Sequence, residues 1–230
     1  AMHLDTRESP TLWGPGKNKY SGVPVEKAPA WAQPVLKQMF AGQTPDVTQS
    51  AAKPPSAGAP PAIKSVIAEA SAKFGVSEDL MTRIAARESS FNPGATNPKS
   101  SAGGLFQFVD QTWGKMVVKY GAAAGVSPDA SRFDPKAAAL MAAAMTKEND
   151  LIVQKIFGRP ASPGELYVGH FMGGPKMVSM LRLNETQPDA PAAVAFPAEA
   201  AANPTIFFNK AGEPQPDSAV YANLTSMDRG

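Results

Sequence analysis

Proline constrains this chain more than any other feature. The residue fixes its own φ and lacks the amide hydrogen that helices and sheets use, so dense proline excludes long regular elements. Ten of the 23 prolines fall in residues 1–61, seven in 62–184 and six in 185–230. The long middle segment is therefore the part free to build regular structure. Residues 1–61 read as a proline-rich N-terminal arm ending in the linker AAKPPSAGAPP at 51–61, where paired prolines and small residues cannot bury a core. One short helix is expected inside that arm at Pro29–Phe40, with Trp31, Val35, Leu36 and Met39 on one face.

From Ala62 the pattern becomes helical. Ile63, Val66, Ile67, Ala70 and Phe74 share a face, and Gly75 supplies a C-terminal stop. Ser77 is placed to cap a second helix that turns Leu80, Met81, Ile84 and Ala85 inward before it reaches Glu88. A polar loop at 89–104 and the apolar run Leu105–Val109 follow. Asp110 is the expected N-cap of a helix over Gln111–Tyr120. Asp134–Pro135 opens a long alanine-rich helix that Gly158 ends, Ser162–Pro163 opens another through Met172, and Pro175–Leu183 forms the last. No alternating β pattern of useful length occurs. The fold class read from this is mostly α, with one domain at 62–184. Residues 185–230 form a C-terminal extension whose anchors, Ile206, Phe207, Phe208, Val220, Tyr221 and Leu224, suit packing on that domain or on a partner.

Composition removes several kinds of chemistry. The chain has no cysteine, so thiolate catalysis and disulfides are excluded, and its two histidines, His3 and His170, cannot build a histidine-rich metal site. A net charge of +2 without a basic stripe gives no argument for nucleic-acid binding. No apolar run approaches the roughly 20 residues that span a bilayer. No secretory signal is expected in residues 1–20, where Asp5, Glu8, Pro10 and Pro15 occupy the place of an apolar stretch. No cofactor and no metal are expected.

Glu88 carries the chemistry. It lies four residues after Ile84 and eight after Leu80, so it projects from the apolar face of its helix. Partial desolvation there favours the protonated carboxyl, which a general acid for glycoside cleavage requires. On position alone, a structural carboxylate bonded to the following loop is the alternative.

The surrounding residues 86–113, ARESSFNPGATNPKSSAGGLFQFVDQTW, resemble the soluble lytic transglycosylase family, which shares the goose-type lysozyme fold. The family's Glu-Ser-x-Phe motif stands as Glu88, Ser89, Ser90 and Phe91, and its Gly-Leu-Met-Gln motif as Gly104, Leu105, Phe106 and Gln107. Asn92–Pro93, Ala95, Asn97–Pro98, Ala102–Gly103 and Thr112 match the usual spacing, with one extra residue between the motifs. The resemblance covers roughly residues 62–184. It implies a lysozyme-like α-domain that holds peptidoglycan glycan strands and cuts between N-acetylmuramic acid and N-acetylglucosamine. Glu88 would protonate the glycosidic oxygen and then act as base, and the muramic 6-hydroxyl would attack the anomeric carbon to leave a 1,6-anhydro end.

The resemblance also assigns substrate contacts to Gln107, Gly104 and Phe106, and to Asn97, where relatives often carry serine. For Gln107 a role in tying the loop to the backbone stands as the alternative. Ser89 is read as ordering the turn after the helix, and Phe91 as core. Gly103 and Gly104 are read as allowing either positive φ or close approach to the substrate.

The third family motif, Ala-Tyr-Asn-Ala-Gly, is altered. Aligning the Gly-Pro at 174–175 puts Phe171 and Met172 where the tyrosine and asparagine are expected. A phenyl ring cannot donate the hydroxyl hydrogen bond that places the glutamate, so Tyr167 and His170 are the candidates to take over, and all three line the expected substrate wall. This His-Phe-x-Gly variant, followed by residues 202–224, resembles bacteriophage virion and alphaproteobacterial members. The expected setting is periplasm and cell wall, or a virion, with the terminal arms holding the protein in an assembly.

Two other readings stand beside the transglycosylase. One is a hydrolase of the same fold, a muramidase or a chitinase, which needs a second carboxylate at the scissile bond. Asp110 is read as a structural cap, so such a group would have to come from residues 134–170. The other is a peptidoglycan-binding or virion structural protein that kept the fold without turnover.

Overall fold

The computed structural model describes residues 58–98 and 100–226. Its regular elements among these residues are helices, with only isolated β-bridges beside them. They run in the order α1 Pro61–Phe74, α2 Glu78–Ser89, α3 Asp110–Ala124, α4 Pro135–Phe157, α5 Pro163–Met172, α6 Gly174–Thr186, α7 Ala192–Ala195, α8 Pro197–Ala202, α9 Pro204–Phe207 and α10 Asp217–Leu224. The expected helix at Pro29–Phe40 lies outside the described residues.

Helix boundaries follow from the capping residues. Gly75 ends α1 in the left-handed region, at φ 63°. Ser77 Oγ accepts from the Leu80 amide at 3.2 Å, and Asp134 Oδ1 from the Ala137 amide at 2.8 Å. Ser162 and Glu165 form a reciprocal capping box at the start of α5, and Arg159 clamps the same Glu165 carboxylate at 2.6 and 2.7 Å. Asp110 departs from expectation. Val109 occupies the N-cap position of α3 without a side-chain bond, while the Asp110 carboxylate pairs with Arg132. An acidic residue in the first turn still complements the helix dipole, but its oxygens face a guanidinium rather than the helix amides.

Two compact units are distinguished. Among the described residues one comprises 58–176 together with 225–226; the other runs from Met177 to Leu224. The division falls inside α6. Periodicity at Pro175–Leu183 announces a helix, but it does not say which core the helix joins.

The first unit is organised about α4, which packs against α1, α3 and α5. Residues Ala137–Thr146 are buried on every side, as befits a helix surrounded by others. Their small alanine side chains let those neighbours approach closely without loss of helix propensity. Ile67, Leu80, Met81, Ile84 and Leu105 are fully buried in this unit, each contributing roughly 1.5–3 kcal/mol of burial energy.

The second unit has its own apolar centre at Ala192, Ala193, Ala200, Phe207, Val220 and Leu224. Backbone bonds from Gln215 to the Phe207 carbonyl (2.8 Å) and from Asp217 to the Ala190 carbonyl (2.7 Å) close it. Phe207, Val220 and Leu224, expected to pack on the domain or on a partner, are thus buried in a local core.

Candidate active site

Glu88 sits in the last turn of α2, half-buried, where the helix is forced to stop. Ser90 and Phe91 both take positive φ, 51° and 66°, and their amides return to the carbonyls of Ala86 (3.0 Å) and Ala85 (3.3 Å). Side chains other than glycine pay on the order of 1 kcal/mol or more for this conformation. Burial of the Phe91 ring offsets it. Gln107 is the remaining non-glycine residue at positive φ (49°) among the described residues, so backbone strain is concentrated on the two motifs.

Hydrogen bonds tie α2, α5 and the 104–107 loop to one another. The Ser89 hydroxyl lies 3.1 Å from the Ala85 carbonyl and 2.8 Å from that of Leu105. Tyr167, on α5, donates its hydroxyl to Glu88 Oε1 at 2.8 Å. His170, one turn further on, donates from Nε2 to the Phe106 carbonyl at 3.1 Å. Glu88 Oε2 has no hydrogen-bond partner among the described residues and is not sealed from solvent. One carboxyl oxygen is therefore fixed while the other stays available.

Burial, reinforced by the charge of Glu88, holds the Tyr167 phenol well above its ordinary pKa of 10, with Arg87 opposing. Tyr167 thus remains a donor across the working pH range. The Arg87 guanidinium stands 4.4 Å over the centroid of that ring, and its Nη1 donates to the Ser226 hydroxyl at 3.4 Å. Sequence reading missed Arg87; its position next to Glu88 was the available signal. Burial pushes the His170 imidazole below its ordinary pKa, although Glu88 and the Phe106 carbonyl pull the other way.

Other expected contacts are placed differently. Phe106 is fully buried, so its ring offers no face to a ligand, and its carbonyl is what the site uses. Gly104 is buried at φ 81°, and a Cβ there would lie 2.2 Å from the Arg132 carbonyl oxygen; at Gly103 a Cβ would meet the Phe133 ring at 2.8 Å. The close approach these glycines permit is to the chain's own 132–133 segment. Gln107 gives its amide nitrogen to the Ala95 and Gly104 carbonyls at 3.3 and 3.0 Å. These two bonds tie the side chain to the backbone of its own loop. Asn97 is exposed, its backbone closing a turn with Ala102 and Ser100. Phe171 is half-buried with its ring 6.5 Å from that of Tyr167.

The acids of 134–170 each have a structural partner. Asp134 caps α4, Glu148 pairs with Lys119, Asp150 accepts from Ala161, Gln154 and Lys147, and Glu165 is held by Arg159. With Asp110 on Arg132, none of these acids forms a hydrogen bond with Glu88. No cluster of three or more metal-binding acids or histidines exists among the described residues.

The family model described as the transglycosylase SLT domain matches residues 65–154. Over those residues the sequence is that of an SLT domain. Its fold is the helical, lysozyme-like one, and the family consists of lytic transglycosylases, lysozyme-like glycosidases that act on peptidoglycan. The matched part of the SLT domain contains Glu88 and the 104–107 loop and ends before α5, where the third motif is altered. No helix among the described residues is long and apolar enough to cross a membrane.

Proposed function

We propose that the chain cleaves the β-1,4 bond between N-acetylmuramic acid and N-acetylglucosamine with Glu88 as its single acid/base, leaving 1,6-anhydromuramic ends. The observation that carries this reading is the Tyr167–Glu88 hydrogen bond, which supplies the positioning hydroxyl that Phe171 lacks. Protonated at Oε2, Glu88 gives its proton to the glycosidic oxygen as the C1–O bond breaks. The resulting carboxylate then takes the proton of the muramic 6-hydroxyl as that oxygen bonds to C1. The 2-acetamido group of the sugar stabilises the charge that develops between these steps.

Engagement of the other acids in structural pairs favours this route over hydrolysis with inversion or through a glycosyl-enzyme, both of which need a second carboxylate at the scissile bond. Gln107 Oε1, which has no hydrogen-bond partner among the described residues, is available to accept from a sugar N-acetyl N–H. Beyond glycan strands, the proline-rich arm is suited to holding the enzyme in a cell-envelope or virion assembly.

Zymography on embedded cell wall tests the reading. Wild type should clear the wall, and Glu88→Gln should lose about 10²–10⁴-fold of the rate, the span general acid/base catalysis contributes. Equal clearing by both would remove Glu88 from the mechanism. No clearing by either would favour a binding or structural protein.

A further inference from the structure

His170 is the second polar side chain that α5 sends to this site, and glycan cleavage as proposed above does not use it. Its Nε2–H reaches the Phe106 carbonyl at 3.1 Å. Its ring stacks on Tyr167 (centroids 6.2 Å apart, planes 19°) and meets Phe106 and Phe108 edge-on at 6.4 and 6.2 Å. Nδ1 is buried and has no hydrogen-bond partner among the described residues. A carbonyl can only accept, so the bond to Phe106 fixes the proton on Nε2 and leaves Nδ1 as a bare lone pair.

We infer that His170 is a positioning residue, acting as the neutral Nε2–H tautomer to lock the Gly104–Gln107 loop onto the face of α5 that carries Tyr167, and through Tyr167 to hold Glu88. The inference rests on the Glu88 reading. Tyr167 and His170 lie three residues apart on one helix, so their side chains are neighbours. Tyr167 fixes the carboxyl and His170 fixes the loop, and stacking of the two rings makes them one unit. Phe108, which meets the imidazole edge-on, also meets Trp113 edge-on at 5.5 Å.

Protonation would put an N–H on Nδ1 with no acceptor in reach, a costly arrangement for a buried group. The charged group that acts on the ring is Glu88 from α2, while Arg87 stands over the neighbouring Tyr167 ring on α5. The 104–109 segment contributes no titratable side chain. Burial thus keeps the clamp neutral where an exposed histidine would already titrate.

Two variants and one spectrum test the assignment on the full chain. His170→Phe keeps an aromatic ring but removes the donor, whereas His170→Gln keeps an N–H able to reach the carbonyl. We expect His170→Phe to lower kcat on purified sacculi about tenfold, with KM little changed and the thermal midpoint near that of wild type, and His170→Gln to recover part of the loss. Long-range proton–nitrogen NMR of the imidazole should show the Nε2–H tautomer, titrating below the ordinary histidine range. Unchanged kcat in His170→Phe, a rise in KM alone, or a ring that titrates normally would each overturn the inference. The spectrum does not depend on turnover, so failure of the clamp is distinguishable from failure of Glu88, which an active Glu88→Gln would reveal.

Discussion

The Tyr167 hydroxyl is the group on which the chemistry of Glu88 depends most closely. Sequence alignment on Gly174–Pro175 directs attention to Phe171, but the side chain that meets the carboxyl comes from one helical turn earlier. A single-turn displacement keeps Tyr167 on the helix face of Phe171, and His170 is the neighbour of Tyr167 three residues on, which is why both were readable as substitutes. Removing the hydroxyl while keeping the ring should cost the hydrogen bond to a charged group, about 1.5–3 kcal/mol where it is fully used. We therefore expect Tyr167→Phe to reduce kcat roughly tenfold to a hundredfold with the fold intact, measured by release of soluble muropeptides. A wild-type rate in that variant would show that the carboxyl is placed by something else.

At the level of elements, helix existence and most helix ends were legible because capping chemistry is local. Ser77, Asp134, Ser162, Gly75 and Gly158 act where the sequence suggested. Asp110 misled because a carboxylate beside a helix start has two outlets, and the choice was made by Arg132, twenty-two residues away. The two glycines before Leu105 were legible as special positions, and Gly104 takes the positive φ that was one of the two reasons offered, but the segment that approaches them was not legible. Only the folded chain reveals that the 132–133 backbone lies against them. Gly104→Ala combines positive φ with a methyl 2.2 Å from a backbone oxygen that cannot rotate away. It should destabilise the domain by at least about 2 kcal/mol, read as a lowered denaturant midpoint. A midpoint within error of wild type would mean that the 131–134 turn yields freely.

For the molecule as a whole, the apolar anchors of 185–230 were visible in sequence, but their assembly into a compact unit was not. Short helices of four to eight residues carry too little periodicity to announce which faces meet. That unit also contains a carboxyl no sequence pattern marks. Asp217 is fully buried, neither of its oxygens has a hydrogen-bond partner among the described residues, and desolvation raises its pKa from 3.8 to about 7. Below 3.8 both the folded and the unfolded chain hold the proton. Between about 4 and about 7 only the folded chain keeps it, so this group makes stability fall as pH rises through that window and level off above it. Chemical denaturation at pH 4, 6 and 8 should reveal this decline, on the order of a few kcal/mol, and Asp217→Asn should flatten it. An unaltered slope in the variant would place the dependence elsewhere.

In the proposed reaction one glutamic acid, with no second carboxylate beside it, directs the sugar's own hydroxyl to the anomeric carbon. Mass spectrometry of sacculi digested by the wild-type chain distinguishes this route from attack by water. Muropeptides ending in 1,6-anhydromuramic acid, each lighter by one water than its reducing counterpart, are the predicted products. Fragments ending only in reducing muramic acid would contradict it.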